Sequence, residues 1–173
     1  MNTLDAILTR RSVRHFTEQP VPEETIRAIL KAGMSGPTCV NARDWSFLVV
    51  TDRAKLSAMA DANGRPAAPL REAAFGILVC GDLTRAFPPA KDYWVVDGAI
   101  AGQNMILAAW ALGIGSVWLG TWPQMDRVKA QSALFGLPET QVPHSVIAFG
   151  YPAERPDRPC PDWEEDRIHF EKW

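Results

Sequence analysis

Residues Val95 to Trp118, VVDGAIAGQNMILAAWALGIGSVW, decide the fold, because no other part of the chain is so uniformly apolar. From Gly98 to Met125 there is neither a charged side chain nor a histidine. Gly98, Ala101, Gly102, Ala108 and Ala109 recur at helical spacing, with Met105 and Leu112 among them, so small and large residues share helix faces. Small faces let other backbones approach closely. The pattern predicts one central helix of about 18 residues, ended by Gly113 and Gly115. A short buried strand over Ser116–Leu119 then follows. A helix apolar on all sides has to be enclosed by the remaining elements. A membrane span is the rival reading and needs roughly 20 mostly apolar residues. Against it, Gln103 and Asn104 fall mid-helix and the longest run without a polar side chain is Met105–Gly115. A chain of 173 residues is hard pressed to cover such a helix alone, which predicts a large interface with a second copy.

The length suits a single domain over residues 1–173, with a core that needs no staples. Net charge is −2, so the chain as a whole has no electrostatic signature for nucleic acid or a membrane surface. The first residues, MNTLDAILTRRSVR, lack the apolar core and small-residue cleavage site of a secretory signal. Three widely spaced cysteines, Cys39, Cys80 and Cys160, with no CxxC, fit a reducing, cytoplasmic setting better than a disulfide scaffold or a zinc site.

Ahead of the central helix, Thr3–Thr9 is a short helix with Thr3 as its N-cap, followed by RRSVRHF over residues 10–16. Three arginines in five residues suit a phosphate, since guanidinium forks and a hydroxyl bind anions well. They equally suit a solvated basic patch or a nucleic-acid contact, and spacing alone leaves these level. A second helix opens after Pro22 and buries Ile26, Ile29, Leu30 and Gly33. The polar loop GPTCVNARDW, 36–45, lies between that helix and a strand over Trp45–Thr51, where loops often carry function. Ala54–Ala62 is a short helix, 64–72 has little pattern, and Ala73–Gly81 is a buried strand. Met125–Phe135 is an amphipathic helix closed by Gly136, Ser145–Gly150 is a strand, and 151–173 is an extended arm. Helices thus surround about four strands without strict alternation, which argues for a three-layer α+β sheet. No GxGxxG, GxSxG, HExxH or phosphate-loop motif occurs.

RRSVRHF, then PTCVN with Trp45, then the central stretch running on to Leu119-Gly120, then FGYPAERP and a closing RIHFEKW resemble, in order, the nitroreductase family of FMN-dependent oxidoreductases, in a short form. The resemblance implies an α+β, three-layer α/β/α fold with a mostly antiparallel central sheet, a long buried central helix and a C-terminal arm over about 151–173. It implies a homodimer with FMN at the interface, hydride transfer from NADH or NADPH, and then reduction of a nitroaromatic, quinone or similar small-molecule acceptor in a ping-pong order. Arg10, Arg11, Ser12 and Arg14 match the segment that holds the FMN phosphate, ribityl chain and ring edge. Pro37, Thr38, Cys39 and Asn41 match the loop that reaches FMN from the other subunit. Leu119 and Gly120 match the turn whose backbone N–H faces the reactive flavin nitrogen. A basic residue after the GYP segment completes the phosphate site: Arg158, or Arg155 in its place. No metal, nucleic acid or membrane partner is implied. Cys39 stands where the family often has Ser, Gly98 where it often has Cys, and Arg43-Asp44 where it often has Gln-Pro. His15, His144 and His169 are expected to be structural. Tyr93 and Trp94 are either channel aromatics or core. The alternatives are a relative with other flavin chemistry, such as dehalogenation or flavin fragmentation, and an FMN-binding protein without turnover.

Overall fold

The computed structural model describes residues 1–154, 156 and 163–173. Among the described residues, five α-helices and four strands appear in the order α1 (Thr3–Thr9), α2 (Glu23–Met34), β1 (Trp45–Val50), α3 (Arg53–Asn63), β2 (Phe75–Asp82), α4 (Tyr93–Ala111), β3 (Gly115–Gly120), α5 (Met125–Phe135) and β4 (Gln141–Gly150). The cap of α1 is Asn2 rather than Thr3: its side chain accepts from the Asp5 N–H while Asp5 reaches back to the Asn2 N–H. The central helix starts two residues before Val95 and stops at Ala111, and Gly113, at φ +81°, turns the chain out of it. Gly115 is not a helix breaker. It opens β3, and its missing side chain is what lets Val13 pack there, since a Cβ would lie 2.8 Å from the Val13 Cβ. Residues 64–72 are more ordered than their composition suggested, with a 3-10 helix over Arg65–Arg71 that buries Ala67 and Leu70. Strand β4 begins four residues before Ser145.

The sheet order is β1-β2-β4-β3, and all three pairings are antiparallel. Alternation along the strands sends side chains to two faces. Phe47, Val49, Phe75, Ile77, Val79, Ile147 and Phe149 pack with Ile26 and Ile29 of α2 and Met105, Ile106 and Ala109 of α4. Leu48, Val50, Leu78, Cys80, Val117, Leu119, Val146 and Ala148 pack with Leu56, Met59 and Ala60 of α3. The result is the three-layer α+β arrangement, with the antiparallel sheet between α2/α4 and α3/α5. Helix α4 is the inner face's long element, and Gly102 lets it descend onto the sheet: a Cβ there would lie 2.3 Å from the Trp118 ring.

This chain covers only one side of α4. Asp97, Gly98, Ala101, Gly102, Met105 and Ala109 are buried, whereas Tyr93, Val96 and Leu112 are about half exposed, at 50%, 49% and 51%. Among the described residues no helix is long and apolar enough to cross a membrane.

Gly102→Ala should therefore destabilise the protein by about 1–3 kcal/mol, the cost of forcing a methyl into a filled interior. A lowered urea midpoint with unchanged slope is the expected result.

Candidate functional site

The arginine segment leaves α1 and runs beside β3. The Val13 N–H donates to the Ser116 carbonyl at 2.9 Å, and Ser12 and Ser116 form a parallel bridge. Val13 and Phe16 are buried anchors, so Ser12 and Arg14 between and beside them are turned to solvent. Arg11 Nη1 donates to the carbonyls of Leu8 and Arg10, at 2.9 and 2.7 Å, which ties that guanidinium to the end of α1. Among the described residues, no carboxylate lies within ion-pair distance of Arg10 or Arg14. His15 instead pairs with Glu72 at 3.2 Å on an exposed surface, as a spacer would. Ser12 is thus set at the outer edge of β3, with the uncompensated guanidinium-bearing residues Arg10 and Arg14 two positions to either side of it in the chain.

Strand β3 is an edge strand, with β4 on its inner side. Since the Ser116 carbonyl faces the arginine segment, strand alternation carries the same outward direction to Gly120 and turns the Leu119 main chain inward, opposite Val146. Gly120 is therefore the residue of the expected pair whose N–H lies on the outer edge; the Leu119 side chain is in the core. The Gly120 carbonyl accepts from Arg127 Nη1 at 2.8 Å and Asn63 Nδ2 at 3.2 Å, and Thr121 Oγ1 donates to Asn63 Oδ1 at 2.7 Å. These bonds fix the strand end, and beyond its Cα there is open space, with no atom within 4 Å of a built Cβ. Ser116 and Gly120 are four positions apart, about 13 Å of strand.

A bulge in β4 shapes this end of the sheet. Pairing with β2 jumps from Val79↔Ser145 to Cys80↔Pro143, leaving His144 as the extra residue. The bulge turns its imidazole onto α4, edge-on to Trp94 and Trp118 at 5.9 and 5.7 Å, with Nδ1 3.1 Å from the Ser145 hydroxyl. The space comes from Gly98, where a Cβ would lie 3.3 Å from the ring. The His144 carbonyl accepts from the Trp122 N–H at 2.9 Å, which holds the segment after Gly120. Trp94 is core; Tyr93 lines a surface cavity of about 450 Å³ with Lys91 and Val96.

The loop over 36–45 lies at the same end of the sheet but at the opposite edge, ahead of β1. The row Phe47–Val79–Ser145–Gly120 crosses the whole sheet, about 14 Å over three strand spacings. Within one chain, Pro37, Thr38, Cys39 and Asn41 are therefore not brought together with the arginine segment. Pro37 and Asn41 are exposed, Thr38 and Cys39 half-buried. Thr38 Oγ1 accepts from the Arg43 N–H at 3.0 Å. The Cys39 N–H donates to the carboxylate of Asp97, 2.9 Å from Oδ2 and 3.2 Å from Oδ1. Asp97 and its buried neighbour Asp44 were not singled out from sequence as site residues. The signal for Asp97 was present, as an acid at the start of an otherwise apolar helix. Arg155, Arg158 and Cys160 lie outside the described residues.

The nitroreductase family model matches residues 7–80 and 64–151. A protein of Methanothermobacter thermautotrophicus named "Putative NADH dehydrogenase/NAD(P)H nitroreductase" is 44% identical over 173 residues, 100% of this chain and 88% of that one. A crystal structure from Bacteroides thetaiotaomicron under the same name is 41% identical, with a TM-score of 0.91 over 99% of this chain and 98% of the other. The NADPH:FMN oxidoreductase of Vibrio harveyi, solved with NAD+, is 27% identical, with a TM-score of 0.88 over 100% of this chain and 78% of that one.

Burial holds His144 below the usual histidine range, partly offset by a hydrogen bond to the Val95 backbone. The unfolded chain therefore takes up a proton near pH 6.5 that the folded protein resists, and stability is lost as pH falls below that value. The difference in unfolding free energy between wild type and His144→Gln should shrink between about pH 7.5 and about pH 5, as read by urea denaturation.

Proposed function

This chain belongs to the nitroreductase family, and on that premise we propose that it is an FMN-dependent NAD(P)H oxidoreductase completed by a second copy of itself. The observation that carries the reading is the donor set at the outer edge of β3. Ser12 is bridged to that edge at Ser116 with unpaired Arg10 and Arg14 two positions to either side of it in the chain, and Gly120, with open space beside it, ends the strand. That donor set suits a ligand with a phosphate at one end, hydroxyls between and a flat electron-accepting ring at the other. FMN, when bound, takes a hydride from NAD(P)H and passes the electrons on to a second acceptor.

Arg10, Arg11, Ser12 and Arg14 hold the phosphate, ribityl chain and ring edge, with Arg158 or Arg155 completing the phosphate site. Gly120 presents its N–H to the reactive side of the ring, and buried Leu119 fixes that position. A guanidinium and a backbone N–H set where negative charge develops lower its cost without having to reorganise. Pro37, Thr38, Cys39 and Asn41 reach the cofactor of the partner subunit, which accounts for their place at the far sheet edge. Nitroaromatics, quinones or similar flat acceptors use the same ring face as the nicotinamide. The two cannot occupy it together, so turnover is ping-pong.

The homodimer rests on apolar surface that this chain leaves bare. Tyr93 and Val96 of α4, Leu4 and Leu8 of α1, and Trp163 and Phe170 of the arm are all about half or more exposed. Their burial against a partner provides the hydrophobic interface an obligate dimer needs. The chain acts as one domain over 1–173, its arm over 151–173 lying on the partner, and works in the cytoplasm.

Purified protein should be yellow and release FMN, not FAD, on denaturation; a colourless protein that refuses added FMN overturns the reading. Arg10→Ala and Arg14→Ala should each weaken FMN binding by about 1.5–3 kcal/mol, the range for charge-assisted bonds. Cys39→Ser should leave turnover nearly unchanged, because serine keeps the size and hydrogen bonding. Initial rates at varied NAD(P)H and acceptor should give parallel double-reciprocal lines, and intersecting lines would rule out the ping-pong order.

A further inference from the structure

Asp44 immediately precedes β1 and is fully buried, and neither of its carboxyl oxygens has a hydrogen-bond partner of good geometry, its own main chain acting on it only weakly. What it faces is another carboxyl group, Asp97 of α4, itself only 2% exposed. Both Asp97 oxygens accept from the Cys39 N–H. Two buried carboxylates in contact cannot both ionise cheaply, and the contact contains a donor only if one carboxyl carries a proton. The loop they adjoin needs an anchor. Val40, Asn41 and Arg43 all have left-handed backbone, at φ 45°, 57° and 51°, which is costly for a β-branched valine and persists only where the surroundings impose it.

We propose that Asp44 and Asp97 share one proton and form a positioning pair that fixes the 37–43 loop: protonated Asp44 steadies Asp97, and Asp97 holds the Cys39 main chain. Its consequence for cofactor binding rests on the reading above, that this loop reaches the partner's FMN. Burial first, and then Asp97, push the Asp44 carboxyl up to about 6. Asp82, at the end of β2, adds to this and donates its main-chain N–H to the Asp44 carbonyl at 2.8 Å. The other titratable and charged groups nearby are His144, packed on α4 against Gly98, and, around the loop, Arg85, whose Nε reaches the Ala42 carbonyl at 3.3 Å, and Arg43, 5.4 Å from the Trp45 ring centroid. The one thiol on the loop is that of Cys39. The sign follows from the raised value. The folded protein keeps a proton that the unfolded chain releases near pH 4, so this stabilisation is complete below that pH and is lost as pH rises through about 6. Above it the two carboxylates repel and the loop loosens.

Hydrogen exchange of the 37–43 main chain, in the intact protein and corrected for intrinsic rates, tests this between about pH 5 and about pH 7.5. FMN affinity is measured in parallel. Wild-type protection should fall by about tenfold across that interval, one pKa unit's worth of coupling. Asp44→Asn should keep the low-pH protection throughout, because its amide donates to Asp97 at every pH. Asp97→Ala should be unprotected at both ends of the range. A flat wild-type profile, or a step that persists in Asp44→Asn, overturns the pair. If the profile is flat while FMN binds through Arg10 and Arg14, the pair alone fails. If the step appears in a protein that binds no FMN, the cofactor reading fails and the pair stands.

Discussion

The close approach of α4 to the sheet is the constraint on which the rest depends. Its 19 residues carry a single charge, Asp97, and Gly102 allows the helix to rest on Trp118. From that seat α4 serves both parts of the candidate site. Asp97, near its start, takes the Cys39 N–H and so secures the 37–43 loop at the β1 edge. Its end turns through Gly113 directly into β3, the edge strand on which the arginine segment and Gly120 are displayed. A shift of the helix would move both edges.

Charge is divided between the two edges rather than balanced at each. Net charge of −2 hides a pair of guanidinium groups with no acid against them among the described residues, and a pair of buried acids with no base between them. Unpaired arginines on a surface cost little, because water solvates them, and they stay available to an anion. Buried carboxyls cost more, and a shared proton lowers that cost while making the loop's hold sensitive to pH. His144 repeats the theme within the core, a titratable ring kept neutral by burial where a bulge turns it onto α4.

Much of this architecture was legible in the residues. Helix α5, with Gly136 behind it, matches its expected bounds, and the apolar runs around Phe47, Ile77 and Ile147 are strands, because helix and strand periodicities are local properties. RRSVRHF was visible as an anion-binding candidate, but spacing alone could not separate it from a solvated patch. Its parallel bridge to Ser116 sets it along β3, and that contact joins residues about a hundred positions apart. Local pattern also misjudged Gly115, which looks like a helix stop and proves to be the floor under Val13. The 3-10 helix after Gly64 was missed because its two prolines read as breakage.

The sequence by itself determined the elements, the apolar faces they would bury, and an inventory of donors and acids, since each of these follows from side chains within a few positions of one another. Tertiary structure alone decided which of those groups meet. It put Asp44 against Asp97, turned Gly120 rather than Leu119 to the open edge, aimed His144 at α4, and set the Cys39 loop and the arginines on opposite edges of one sheet. The physical reason is that strand order and register are fixed by how whole faces pack. A one-residue slip reverses every side chain, and no local pattern of residues encodes that choice.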